Sequence, residues 1–312
     1  MLFLAGLLGL IAMGGLALAS DVSPGEDDGI ESVPEPEEDG TDGLDPGTNL
    51  ILSGGDGADS VAGGAGNDQI NGYDGDDEIR GGTGDDALFG GDGDDQLHGG
   101  AGDDVLHGHY GDDDLFGDDG IDQLFGHYGD DALWGGAGAD TLTGGQGDDL
   151  LSGDAGDDAL HGNDGNDTMV GGSGADTLFG GDGDDWLDGS AEPAPTVDFL
   201  NGGDGDDTLI AGSGDILSGG EGADTMILDA GAESTQVMDF DSAEDRLVMV
   251  VEADADSGAA LEVVSDPDAP GISQILMNGT EIARIHCDRP LVPDDIILVD
   301  RAGAQAFGLY PG

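Results

Sequence analysis

From Gly54 to Asp188 the chain repeats every nine residues without a slip, and that period limits the fold more than any other feature. Fifteen successive blocks fit G-x-x-G-x-D-x-U-x, where U is aliphatic; GGDGDDQLH (residues 90–98) and GGAGDDVLH (99–107) are two of them. A helix needs apolar residues three and four apart, and one apolar position in nine builds no helical face. A fixed short period marks a solenoid, in which each repeat buries its apolar side against its neighbours. The apolar place is the eighth: Val61, Ile70, Ile79, Leu88 and so on to Leu178 and Leu187. Places seven to nine then form a short strand, with place eight inward and its neighbours outward. Two blocks make one flattened coil of turn, strand, turn and strand. Fifteen blocks make about seven and a half coils, roughly 36 Å at about 4.8 Å per coil. The expected fold class is all-β.

Glycine holds places one and four in every block, as expected if both sit at positive φ in a tight turn. Place two is mostly glycine but also His109, His127, Asp118, Asp154, Asn163 and Tyr73. Except for tyrosine, these types tolerate the left-handed region best.

Place six is aspartate throughout: Asp59, Asp68, Asp77, Asp86, Asp95, Asp104, Asp113, Asp122, Asp131, Asp140, Asp149, Asp158, Asp167, Asp176 and Asp185. Three later units add Asp207, Asp215 and Asp224; the middle one, Ala211 to Ser218, is one residue short. Stacked coils place these carboxylates in two columns. Neighbours about 4.8 Å apart repel by about 3.5 kcal/mol at an effective dielectric of 20. A dozen such pairs exceed the roughly 5–15 kcal/mol stability of a domain. With 71 acidic residues against 5 basic ones, the chain cannot neutralise them itself. A hard divalent cation between turns, held by place-six carboxylates and turn carbonyls, would. An all-oxygen site of six or more ligands is calcium chemistry; zinc prefers nitrogen or sulfur. The eighteen aspartates are therefore the candidate metal ligands, with several Ca2+ ions as cofactors. The same charge excludes nucleic acid, whose phosphates need basic partners, and disfavours anionic membranes.

Blocks such as GGDGDDQLH and GGSGADTLF resemble the GGxGxDxUx signature of the RTX (repeats-in-toxin, haemolysin-type) calcium-binding family over about 175 of 312 residues. The resemblance implies a right-handed parallel β-roll with calcium between turns, six residues turning and three forming strand. VMDFDSAEDRL (237–247), with Asp239-Phe240 and Asp245, is similar to the segment that follows such rolls. Family members typically leave the cell by type I secretion with an uncleaved C-terminal signal and without an N-terminal one.

This chain departs from that pattern at its start. Residues 1–20 are apolar up to Ala17-Leu18-Ala19, read as an export signal or a retained anchor. Either places the remainder outside the cytoplasm, secreted or at the cell surface; an uncleaved segment would be the sole membrane contact. Residues 21–50 are acidic and rich in Pro and Gly, read as a disordered linker. The roll spans 51–228, interrupted by a Pro-bearing loop at 190–199. Residues 229–312 form a small β-rich cap that could carry a secretion signal. Its strands are expected at 246–251, 260–264, 272–276, 280–287 and 295–299, with Asn278-Gly279 as a hairpin turn. Cys287 is the single cysteine, which excludes an internal disulfide and reads as a buried thiol.

Place nine carries Arg80, His98, Phe116 and Trp134 in one set of alternate blocks and Phe89, His107 and Phe125 in the other. These form outward ladders on opposite faces, for stacking or for docking a surface glycan or protein. His109-Tyr110 and His127-Tyr128, 18 residues apart, should stack in adjacent coils. No GxSxG or HExxH motif is present. The leading reading is a secreted calcium-binding protein without catalysis. Its rivals are an adhesive surface protein and an RTX-associated hydrolase or toxin, for which His286 and Asp288 in the cap are too few groups to assign chemistry.

Overall fold

In the computed structural model the chain divides into two units, Met1–Leu44 and Asp45–Gly312. The structure describes residues 47–190, 196–229, 234–251, 261–266, 269 and 271–300, all in the second unit. The apolar start, most of the acidic linker and the middle of the Pro-bearing loop lie outside them.

The described residues are almost entirely β-strand and turn, with one 3-10 turn at Pro293–Asp295. From Ile51–Ser53 to Arg246–Val251 successive strands alternate between a 14-stranded and a 12-stranded sheet. Each roll strand pairs in parallel with the strand one coil on. In the first sheet Val105–Tyr110 pairs with Gln123–Tyr128, Leu106 opposite Leu124. In the second, Asp114–Asp119 pairs with Ala132–Ala137, Leu115 opposite Leu133. This is the all-β parallel roll that the period predicts.

The strands are longer than the three residues expected. Most run for six, from place seven through place three of the next block, as in Gln96–Ala101. Pairing holds at places seven to nine and two to three and passes over place one, where the strand bends (Arg80 opposite His98, then Gly82 opposite Gly100). Every coil stacks on a near copy of itself. A main-chain N–H therefore finds a carbonyl one coil away even around the corner, and buried backbone groups take such partners.

The glycine expectation is half right. Place four has positive φ in all fifteen blocks, from Gly57 (128°) to Gly183 (139°). Place two does too where it is not glycine: Tyr73 84°, His109 89°, Asp118 73°, His127 83°, Asp154 66° and Asn163 82°. Place one is not in that region, and its glycine has another cause, given below.

The loop is absorbed without loss of register. Thr177 pairs with Phe199 and Phe199 with Ile216, steps of 22 and 17 residues against the usual 18. Beyond residue 228 the strands extend the same sheets. Thr235–Phe240 and then Thr280–Cys287 continue the first in parallel, and Arg246–Val251 and Ile296–Asp300 continue the second. An antiparallel run of Thr280–Cys287, Ile272–Met277 and Leu261–Ser265 ends the first sheet. Its turn is Asn278 (φ 54°) and Gly279 (φ 81°), the hairpin chemistry read from the sequence. Cys287 is half-buried.

The core is the place-eight row. Ile70 to Leu187 are fully buried in a single cluster that continues through Leu200, Leu209, Leu217 and Met226 into Val237 and Leu247. A smaller cluster, Ile210, Ile227, Val248 and Val250, lies on the other face of the second sheet. Since each core leucine touches the same row above and below, Leu124→Ala leaves a cavity between Leu106 and Leu142. A loss of about 2–5 kcal/mol is expected, measured as a lower thermal midpoint by circular dichroism in saturating calcium.

Candidate metal centre

The turn residue that follows the positive-φ glycine at place four by two positions is the buried aspartate. Place-six aspartates from Asp68 to Asp185 are at most 3% exposed, as are Asp207, Asp215 and Asp224. They form two columns. In one, the Asp68 N–H donates to Asp86 Oδ1 at 2.6 Å, Asp86 to Asp104 at 2.7 Å and Asp104 to Asp122 at 2.8 Å. In the other, Asp77 donates to Asp95 at 2.8 Å, Asp95 to Asp113 at 2.8 Å and Asp113 to Asp131 at 2.9 Å. Each carboxylate thus reaches back one coil and holds the backbone of its predecessor.

The second oxygen has no such partner. Oδ2 is buried without a hydrogen bond in Asp68, Asp77, Asp86, Asp95, Asp104, Asp113, Asp122, Asp131, Asp140, Asp149, Asp158, Asp167, Asp176, Asp185, Asp207 and Asp224. A buried polar atom of this kind is costly, and a charged one more so. This oxygen explains the glycine at place one. A Cβ on Gly135 would stand 2.7 Å from Asp140 Oδ2 and 2.9 Å from the Gly153 carbonyl one coil on. The missing side chain leaves a notch bordered by a carboxylate oxygen and a main-chain carbonyl.

Two of the eighteen aspartates differ. Asp59 Oδ2 accepts the Gly55 N–H at 2.7 Å. Asp215, in the short unit, accepts from Asp198 on Oδ1 (3.0 Å) and Gly212 on Oδ2 (2.7 Å). Both oxygens of Asp215 are engaged by the backbone.

A family model of the RTX calcium-binding nonapeptide repeat (4 copies) matches residues 53–88, 89–124, 125–160, 161–192, 197–215 and 214–232, more than half of the chain. The chain belongs to this family. No curated protein matches it.

The RTX roll fits the cation its family binds. The donors at each notch are oxygens alone, as calcium prefers. Among the described residues no three His, Cys, Asp or Glu side chains gather as a metal site. The place-six carboxylates would therefore need turn carbonyls to complete a coordination shell. When bound, calcium supplies the positive charge that the orphaned oxygens lack.

Sequence reasoning missed Asp198. It is 3% exposed and accepts the Asp176 N–H at 2.8 Å, in the place-six position. The signal was the D-x-U-x tail Asp198-Phe199-Leu200-Asn201, hidden because the loop replaces the glycines before it. Asp245 ends the second column by accepting from Asp224 at 3.1 Å. The place-five side chains were also passed over. On one edge the exposed Asp76, Asp94, Asp112, Asp130, Asp148, Asn166, Asp184 and Asp206 each accept the N–H one coil on, at 2.8–3.2 Å. On the other edge Ile121 and Ala139 interrupt the row.

The outward ladders stack. His98 lies 4.5 Å from Phe116 and Phe116 4.5 Å from Trp134. On the opposite sheet Phe89, His107 and Phe125 stack at 5.2 and 4.8 Å. His109 and His127 stack at 5.0 Å and Tyr110 and Tyr128 at 4.9 Å, as their spacing predicts. His107 joins them, its Nδ1 2.9 Å from His127 Nε2. Burial, then the adjacent His127 and His109, lowers its pKa to about 4.

Burial also raises the place-six carboxylates from Asp77 onward. Asp113 and Asp149 are pushed up to about 8, chiefly by desolvation, with an opposing backbone hydrogen bond and a further push from neighbouring carboxylates. Asp104, Asp122, Asp158, Asp185 and Asp207 reach about 7 for the same reasons. A folded-state value above the ordinary 3.8 means that the folded roll binds protons more tightly than the unfolded chain. Without calcium, this stabilisation is complete below the ordinary carboxylate value and is lost as pH rises through 6 to 8. In chelator, the β-signal in circular dichroism should therefore be stronger at about pH 5.5 than at about pH 8; the reverse order would contradict it.

Proposed function

We propose that this is an exported protein whose roll remains unfolded in the cytoplasm, where free calcium is scarce, and folds on several calcium ions outside. The sixteen orphaned Oδ2 atoms carry this reading. Without cations, self-repulsion in two carboxylate columns keeps the chain extended and competent for export. With millimolar calcium, weak sites of about 10⁻⁴ to 10⁻³ M suffice, because ions that bind only the folded state add their stabilisation by mass action. The role carries no catalysis of its own. The apolar residues 1–20 and the C-terminal segment 229–312 are the two candidate export signals; among the described residues no helix is long and apolar enough to cross a membrane.

The ligand set is the sixteen aspartates with an orphaned oxygen, and Asp59 and Asp215 stand apart because their second oxygen is already bonded. A second reading, an adhesive surface element, rests on the stacked rings of both outer faces.

Far-UV circular dichroism of residues 51–312 against calcium, with magnesium as control, tests the mechanism. The expected result is a cooperative coil-to-β transition specific to calcium. A full β-signal in excess chelator at neutral pH would overturn it. Asp140→Asn should raise the calcium concentration at the midpoint. Asp215→Asn should leave that midpoint nearly unchanged and lower the thermal midpoint at saturating calcium.

A further inference from the structure

The ring ladder of the first sheet is interrupted once. Along place nine the row runs Phe89, His107, Phe125, then Thr143, then His161 and Phe179. His161 and Phe179 stack at 5.1 Å, so the ladder resumes in the same form. The Thr143 coil also carries Gly145 where the coil before it has His127 and the coil after it Asn163. A whole rung of large side chains is absent, and Phe125 and His161 stand two coils apart, roughly 9.6 Å.

The gap is a cleft of about 290 Å³. Its floor is Thr143, Gly144 and Gly145, Phe125, His127 and Tyr128 form one side, and Gln146, Asn163 and Asp164 line the rest. The Gln146 amide donates to Asp164 Oδ2 at 3.2 Å, which fixes two of the polar groups relative to each other. The volume lies just below the usual small-ligand range of about 300–1,000 Å³. That is too small to seat a folded partner and suits one six-membered ring.

We propose that this missing rung is a binding site for a neutral pyranose unit. A sugar ring offers what the gap requires: an apolar C–H face to lie against Phe125, and a rim of hydroxyls to meet Gln146, Asn163, Asp164 and the Thr143 hydroxyl. Aromatic rings pair with such faces while polar groups at the edge set orientation. The charge narrows the class. Asp164 is in the wall, no lysine or arginine lines the cleft, burial holds the His127 imidazole below its usual range, and the chain carries a net charge of −66. Uronates, sulfated sugars and phosphates are disfavoured. The site exists only in the folded roll and is otherwise independent of how the protein is exported.

The test uses the full chain in saturating calcium, with folding checked by circular dichroism. Glucose, galactose, mannose, N-acetylglucosamine and their β-linked tetrasaccharides are the probes, and oligogalacturonate is the anionic control, all read by saturation-transfer NMR and titration of the His127 ring signals. At least one neutral probe should bind, with a dissociation constant of about a millimolar. Thr143→Phe should complete the ladder, keep or raise the thermal midpoint and abolish binding. Gln146→Ala and Asn163→Gly, the latter suited to the positive φ of residue 163, should each weaken binding about five- to tenfold, as for one hydrogen bond. They decide the question if Thr143→Phe does not fold. No binding by any neutral probe, binding unchanged in these folded variants, or equal or tighter binding of oligogalacturonate would each overturn the proposal.

Discussion

Buried negative charge without a partner is the constraint on which the rest of this structure depends. Each turn brings a carboxylate out of water, satisfies one of its oxygens with a backbone N–H from the preceding coil, and leaves the other facing a notch made by a side-chain-free glycine. An aspartate in this position cannot be stable and ionised on its own. A proton or a cation must neutralise it, and the oxygen-only surroundings favour a hard cation. The composition follows from this: glycine at place one to open the notch, glycine at place four to turn the chain, and an acid at place six.

The same hydrogen bonds make the coils interdependent. Place six reaches back one coil, and place five on the continuous edge accepts from one coil forward. Each turn is therefore tied to both neighbours by side chain as well as by sheet. Stability in such a solenoid is approximately a sum of repeat and interface terms. In this one the interface includes the orphaned carboxylate oxygens, so a cation bound there would stabilise neighbouring coils together.

The outward faces obey a different rule. Parallel, in-register pairing places identical positions directly above one another, so any ring at place nine meets the ring 18 residues on. Stacking in these rows is a consequence of register, and the rows support a sheet that cannot rely on charged side chains for adhesion between strands. Their interruption at Thr143 is therefore a local departure from a regular pattern.

Much of this was legible in the sequence. The period of nine determined the strands, the parallel pairing, the two rows of core residues and the columns of Asp68 to Asp185, because a repeat copied without slippage can stack only on itself. Asn278-Gly279 gave the cap hairpin through its φ requirement. Other features needed the tertiary structure, since they depend on atoms one coil apart. These include the six-residue strands, the steric cause of the place-one glycine, and the backbone bonds that set Asp59 and Asp215 apart from the other sixteen. Asp198 had the right tail but no glycine turn before it, and only its hydrogen bond to Asp176 placed it in the column. The cleft beside Thr143 is likewise a relation between coils: three ordinary blocks in the chain become one site once register sets them side by side.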